Sequence, residues 1–234
     1  MKKILFILLA AISLPVQAQS QGELLKHYEA YYVQMRAQGD VRGVINALTH
    51  LNVIQPSVER RDTLAYVYSN NNQHVQALNT LGIELNPEDS DLALQVKAVS
   101  LKSINQPKRS LEQFQVMYDR AQNPYIAYEI ADLKIQIGDS PGALADIEYG
   151  IANSLDGMKY AFYERQQPYE VPLKAAFVHL KGLAQYNIDK NNIDQAIASF
   201  DEALKMAPNF NLASLSKQAL ESRKGTQEPE EKQN

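Results

Sequence analysis

Apolar positions recur along this chain in a fixed order. In "GDVRGVINALTHLNVIQP", Val44, Leu48, Leu51 and Pro56 follow one another at separations of four, three and five. "DQAIASFDEALKMAP" repeats those separations with Ala196, Phe200, Ala203 and Pro208. "HVQALNTLGIELNP" carries Ala77 and Leu81, with Pro87 arriving two residues early. Ser110, Phe114 and Met117 make a further set, and Ala143, Ile147 and Gly150 another. Their leading positions, 44, 77, 110, 143 and 196, step by 33, 33, 33 and 53. Three equal steps mark an internal repeat, and the last is one period plus an insertion. Separations of three and four keep these residues on one face of a helix, and proline ends it.

A second amphipathic stretch precedes each set. Leu64, Ala65 and Tyr68 share a helical face before Ala77; Ile130 and Ala131 precede Ala143; Leu180, Leu183 and Ala184 precede Ala196. The segments between the stretches are polar: Gly39-Asp40, Asn70 to Asn72, Asn105 to Pro107, Gly138-Asp139 and Asn191-Asn192. Asp and Asn cap helix starts, and Pro141 suits an early helical position. Each unit therefore reads as helix, turn, helix.

At these residues the chain resembles the tetratricopeptide repeat (TPR) family. Ala196, Phe200, Ala203 and Pro208 match that family's small, aromatic, Ala and Pro positions in the second helix, and Leu64, Ala65 and Tyr68 match its first-helix motif. Tyr32 and Val44 depart from it, and the period is 33 against 34. Ankyrin repeats share the period, but their Thr-Pro-Leu-His signature is absent from this sequence. The resemblance implies an all-α, right-handed α-solenoid of five helix-turn-helix units near 24–56, 58–89, 91–123, 124–155 and 174–209. An insertion spans 154–173. Leu212, Leu215 and Ala219 predict a capping helix over 210–223, covering the last apolar face. Residues 224–234 lack apolar side chains and read as a disordered tail.

Composition narrows the location. The sequence is 45% hydrophobic and 21% charged, enough apolar content for a sizeable core in a solenoid spanning 19–223. It opens "MKKILFILLAAISLPVQAQS", a basic start, an apolar run and small residues at a cleavage site, which predicts an export signal over 1–18. Its loss moves the net charge from −4 to −6. No basic excess exists to neutralise phosphates, which argues against nucleic acid as a partner. No later stretch approaches spanning length, so no membrane insertion is expected after cleavage. With no cysteine there is no disulfide and no lipid attachment through a lipobox. The expected address is periplasmic, with secretion second.

Candidate chemistry is sparse. His27, His50, His74 and His179 show no ligand spacing and read as solvated or half-packed. No phosphate-binding glycine loop and no nucleophile elbow appear in the sequence. No catalytic residue, metal site or cofactor is expected, and the chain is read as a non-enzymatic scaffold for a protein or peptide partner. The resemblance places Val33, Arg36, Tyr66, Asn70, Val99, Lys102, Tyr125, Tyr128, Asp132, Ile135, Lys181 and Gln185 on a concave groove. Val33, Tyr66 and Val99 share one register in successive units, which suits an extended peptide or a partner helix; packing between neighbouring first helices is the other reading of the same stripe. Family members that clamp a chaperone's C-terminal carboxylate place Lys and Asn where this chain has Glu29 and Val33, which argues against that ligand. In the insertion, Tyr160, Phe162, Tyr163 and Tyr169 flank Gln166-Gln167, as a short hairpin or as a helical turn with an extended segment, packed inward or reaching a partner. Two other functions stay open: a small-ligand or enzymatic accessory protein with a pocket between insertion and groove, and a structural subunit of an envelope complex. A homodimer through a solenoid end or the insertion is also left open.

Overall fold

The computed structural model describes residues 21–227, with side chains through Lys224. The expected export signal and the tail from residue 228 lie outside the described residues. Five helical pairs follow one another: α1 (Gln21–Gln38) with α2 (Val41–Ile54), α3 (Val58–Asn70) with α4 (His74–Leu81), α5 (Asp91–Ser103) with α6 (Pro107–Arg120), α7 (Pro124–Gln136) with α8 (Ser140–Asn153), and α9 (Leu173–Ile188) with α10 (Ile193–Met206). A last helix, α11 (Asn211–Gln227), packs on α10. Between α8 and α9 lies a hairpin of β1 (Lys159–Phe162) and β2 (Tyr169–Pro172). Each helix packs on the next, and first helices also meet, α3 with α5 and α7 with α9. The architecture is an all-α solenoid of the expected kind, with a two-stranded insertion.

The period is written into the backbone. Gly39, Asn72, Asn105 and Gly138 all have positive φ, at +69°, +58°, +59° and +88°, and follow one another at intervals of 33. Each turns the chain between the two helices of a pair, a conformation that Gly and Asn tolerate best. The starts of first helices repeat as well: Ser57, Ser90 and Asn123 accept from the amides of Arg60, Ala93 and Tyr125. That satisfies one of the free amide donors at each helix start.

The repeated small positions are where helices touch. Ala77, Ser110, Ala143 and Ala196 have no exposed surface, and Val44 is nearly as buried. Ser110 Oγ donates to the carbonyl of Ala98 at 2.8 Å, so α6 rests against the backbone of α5. Gly150 and Gly182 make room for rings: an added Cβ would sit 2.0 Å from Phe177 Cζ and 2.5 Å from Phe200 Cε1. The largest core joins α7 through α11 to the hairpin, with Phe177 and Phe210 at its centre. The N-terminal cores, around Leu48 and Leu64 and around Ala65, Ala77 and Val96, are smaller.

Two boundaries depart from the expected ones. Helix α4 stops at Gly82, φ +85°, and the chain to Ser90 runs as an irregular segment. Helix α11 continues through Gln227, so residues 224–227 are helical and not part of a disordered tail. The ion pair of Lys224 with Asp194 of α10, at 2.7 Å, supports that extra turn.

Candidate functional site

The first helices present the expected groove residues, but not equally. Val33 on α1, Tyr66 on α3 and Val99 on α5 are 64%, 42% and 40% exposed. Arg36 and Asn70 are exposed beside them, and Tyr125 of α7 is also open to solvent. These apolar side chains are therefore not buried between neighbouring helices. An open depression of about 340 Å³ lies between α1 and α3, lined by Tyr32, Val33, Leu48, Leu51, Arg60 and Thr63 among others. Arg60 pairs with Glu29 at its rim, at 3.1 Å.

Farther along, the face changes character. The register of Val33, Tyr66 and Val99 continues with Asp132, so the apolar stripe gives way to charge. Lys102 Nζ donates to Glu129 Oε2 at 2.6 Å and to Asp132 Oδ2 at 2.7 Å, and Gln136 donates to the same Asp132 oxygen at 2.8 Å. Burial works against the Lys102 ammonium, but the two carboxylates outweigh it and hold its pKa above the ordinary lysine value. Ile135, Lys181 and Gln185 are half-buried, and Gln185 accepts from Ser199 at 2.8 Å.

Tyr128 does not line an open groove. It is 4% exposed, beneath the hairpin, with its ring 4.1 Å from that of Tyr160 and 5.5 Å from that of Phe177. Desolvation pushes its phenol well above the usual tyrosine value. The insertion supplies that cover. Tyr160 and Phe162 point inward with Val171 and Tyr169; Phe162 meets Phe210 at 4.9 Å, and Tyr160 donates to Glu129 Oε1 at 2.5 Å. Tyr169 donates to Glu164 at 2.6 Å, while Tyr163 is 75% exposed. The hairpin thus seals the seam over α7 and α9 and leaves one aromatic outside.

Glu129 was not singled out from the sequence, yet it joins Lys102 of one unit to Tyr160 of the insertion. Its sequence signal is its place one turn after Tyr125, on the same helical face. His27 and His50 are exposed and His74 is half-buried, as expected, and His179 alone is buried more deeply. His50 stacks on Tyr28 at 4.2 Å, His74 lies 3.4 Å from the Ser100 hydroxyl, and His179 is 4% exposed with Nε2 3.0 Å from Ser216 Oγ.

No family model matches the sequence, and no curated protein matches it. Solved structures do. The "MamA protein" structure is similar at a TM-score of 0.59 and 19% identity, over 89% of this chain and 97% of that one. YrrB, described as "a TPR protein with an unusual peptide-binding site", is similar at a TM-score of 0.63 and 15% identity, over 82% of this chain and 90% of that one. The 33-residue recurrence of turns, caps and small contact residues agrees with these likenesses, and the chain has the tetratricopeptide-repeat fold.

Proposed function

We propose that this chain is a non-enzymatic scaffold of the cell envelope that holds an extended segment of a protein partner along the concave side of its first three units. The observation that carries this reading is the exposure of Val33, Tyr66 and Val99 on successive first helices. Apolar side chains aligned at the repeat spacing, on otherwise polar helices, offer a ladder of anchor points to one extended or helical ligand. A rigid stack holds that ladder in place before binding, which limits the ordering cost on the scaffold side. The peptide-binding site named for YrrB supports the same type of ligand here. The hairpin occupies the surface over α7 and α9, so the open part of the face is the N-terminal part. The opening "MKKILFILLAAISLPVQAQS" supports export, with the periplasm as the site of action.

The test is cross-linked capture from periplasm with the wild type and a Val33→Asp, Tyr66→Ala, Val99→Asp triple variant. The wild type is expected to recover a specific partner and the variant to lose it, with unchanged circular dichroism. Equal recovery by both would remove the groove assignment. Recovery of the wild-type chain from the cytoplasmic fraction would remove the envelope location.

A further inference from the structure

The hairpin has two unlike edges. Leu173 N donates to the Met158 carbonyl at 2.9 Å, and the strands pair Lys159 with Pro172, Tyr160 with Val171, Ala161 with Glu170 and Phe162 with Tyr169. Antiparallel ladders alternate, so Tyr160 and Phe162 spend their backbone groups on β2, while Lys159, Ala161 and Tyr163 turn theirs outward. On β2 the outward positions are Pro172, Glu170 and Pro168. Two of these lack an N–H, and the Glu170 carbonyl accepts from Asn209 Nδ2 at 3.5 Å. The β2 edge is therefore closed by two prolines and by the turn between α10 and α11. The β1 edge carries no such protection: Lys159, Ala161 and Tyr163 have no backbone partner across it among the described residues.

The open edge faces away from the α10–α11 turn, because β2 borders that turn while Tyr160 of β1 leans on α7. A strand added there lies about 4.8 Å beyond β1. Tyr125, Glu129, Asp132 and Gln136 share the face of α7 beside it, at helical spacing. Two carboxylates meet a single ammonium in that cluster, which leaves a net negative charge. A side chain opposite Tyr160 on an added strand points the same way as Tyr160, toward those carboxylates.

We propose that the outer edge of β1 is a docking strand, and that an extended peptide segment with alternating β-branched and basic residues adds to it as a third strand over α7. This inference rests on the concave face being the binding surface and specifies how the backbone of the ligand is gripped. The probe is acetyl-Thr-Val-Lys-Val-Arg-Val-Thr-amide, alongside the same peptide N-methylated at alternate amides. Titration of ¹⁵N-labelled protein with the unmodified peptide is expected to shift the amides of Lys159, Ala161 and Tyr163 and to slow their exchange with solvent. N-methylation and Ala161→Pro are each expected to weaken binding about tenfold or more through lost backbone hydrogen bonds. Glu170→Pro, which alters the same hairpin on its closed edge, is expected to leave affinity within about twofold, because no edge hydrogen bond is removed from the docking side.

Equal affinity for the N-methylated peptide, or unchanged affinity in Ala161→Pro, would overturn the docking strand. So would shifts confined to Val33, Tyr66 and Val99, an outcome that keeps the groove and removes the edge. An absence of shifts anywhere overturns the edge alone, since the groove stands or falls by partner capture. A dimer in sedimentation velocity that Ala161→Pro dissolves would show a second copy on the edge and overturn the peptide occupant.

Discussion

Single side chains set both the spacing of this molecule and one of its weak points. Ser57, Ser90 and Asn123 fix the start of a first helix every 33 residues, and the small residues from Ala77 to Ala196 fix the contacts. His179 is different. It lies among Phe200, Phe210 and Ser216, with Nδ1 buried and unpartnered. Desolvation drives its pKa down from 6.5 to about 4, against a smaller opposing pull from Asp132. Above pH 6.5 the ring is neutral in both folded and unfolded chains and costs nothing. As pH falls from 6.5 toward 4, the unfolded chain takes up a proton that the folded one refuses, so stability is lost over that window, by roughly 3 kcal/mol. His179→Phe should flatten the decline: between pH 7 and pH 4 melting curves are expected to show the wild type losing roughly 3 kcal/mol more stability than the variant. Parallel curves would show that another group controls the acid limb. The sequence made the small positions legible, because a residue that must be small repeats with the period. It did not make the burial of His179 legible, because that needs Phe210 and Ser216 from beyond the repeat.

At the scale of elements, the irregular second unit shows how a lost helical turn is replaced. The chain after α4 is held by charges: Lys97 of α5 donates to the Glu84 carbonyl at 2.8 Å and to Asp89 at 2.5 Å. Arg120 of α6 donates to the carbonyls of Pro87 and Asp89 and pairs with Asp91 at 2.6 Å. Asp62 of α3 accepts from Ser90 at 2.6 Å, linking the segment back to its own unit. Lys97 and Asp89 are 2% and 7% exposed, so removing the lysine leaves the buried Asp89 carboxylate only Asn86 at 3.2 Å and Arg61 at 4.0 Å. Lys97→Met should therefore cost about 3–5 kcal/mol in urea denaturation, and the double variant Lys97→Met, Asp89→Leu should recover much of it. Equal losses in both would mean that packing of the lysine stem, not charge, holds the segment. Pro87 announced the early end of α4 in the sequence. The clamp was hidden, because Lys97 sits in "LALQVKAVS" where a helical lysine ordinarily faces water. The insertion was half legible. Its aromatic residues alternate as strands do, but Tyr128 reads as a groove residue until the hairpin is folded back onto it.

The whole molecule is uneven along its axis, and that has a mechanical consequence. In a stacked array each unit is stabilised by itself and its neighbours, so local core size sets local stability. Helix α9 buries most of its length between the hairpin, α8 and α10, and shares one large core with α7 and α11. At the other end, only Met35 is buried among the described residues of α1, and the core beneath it is small. Proposed binding residues Val33, Tyr66 and Val99 fall in the lightly built half, where segments that respond to ligands are generally found. Native-state hydrogen exchange should expose the gradient. Amides of α1–α4 are expected to exchange about tenfold or more faster than those of α7–α9, an opening difference of about 1.4 kcal/mol or more. A partner held by the N-terminal units should slow α1–α5 and leave α8–α10 nearly unchanged. A single exchange rate along the chain would mean that the array opens as one cooperative body, and the division between a firmly packed C-terminal half and a lightly packed N-terminal half would fail with it.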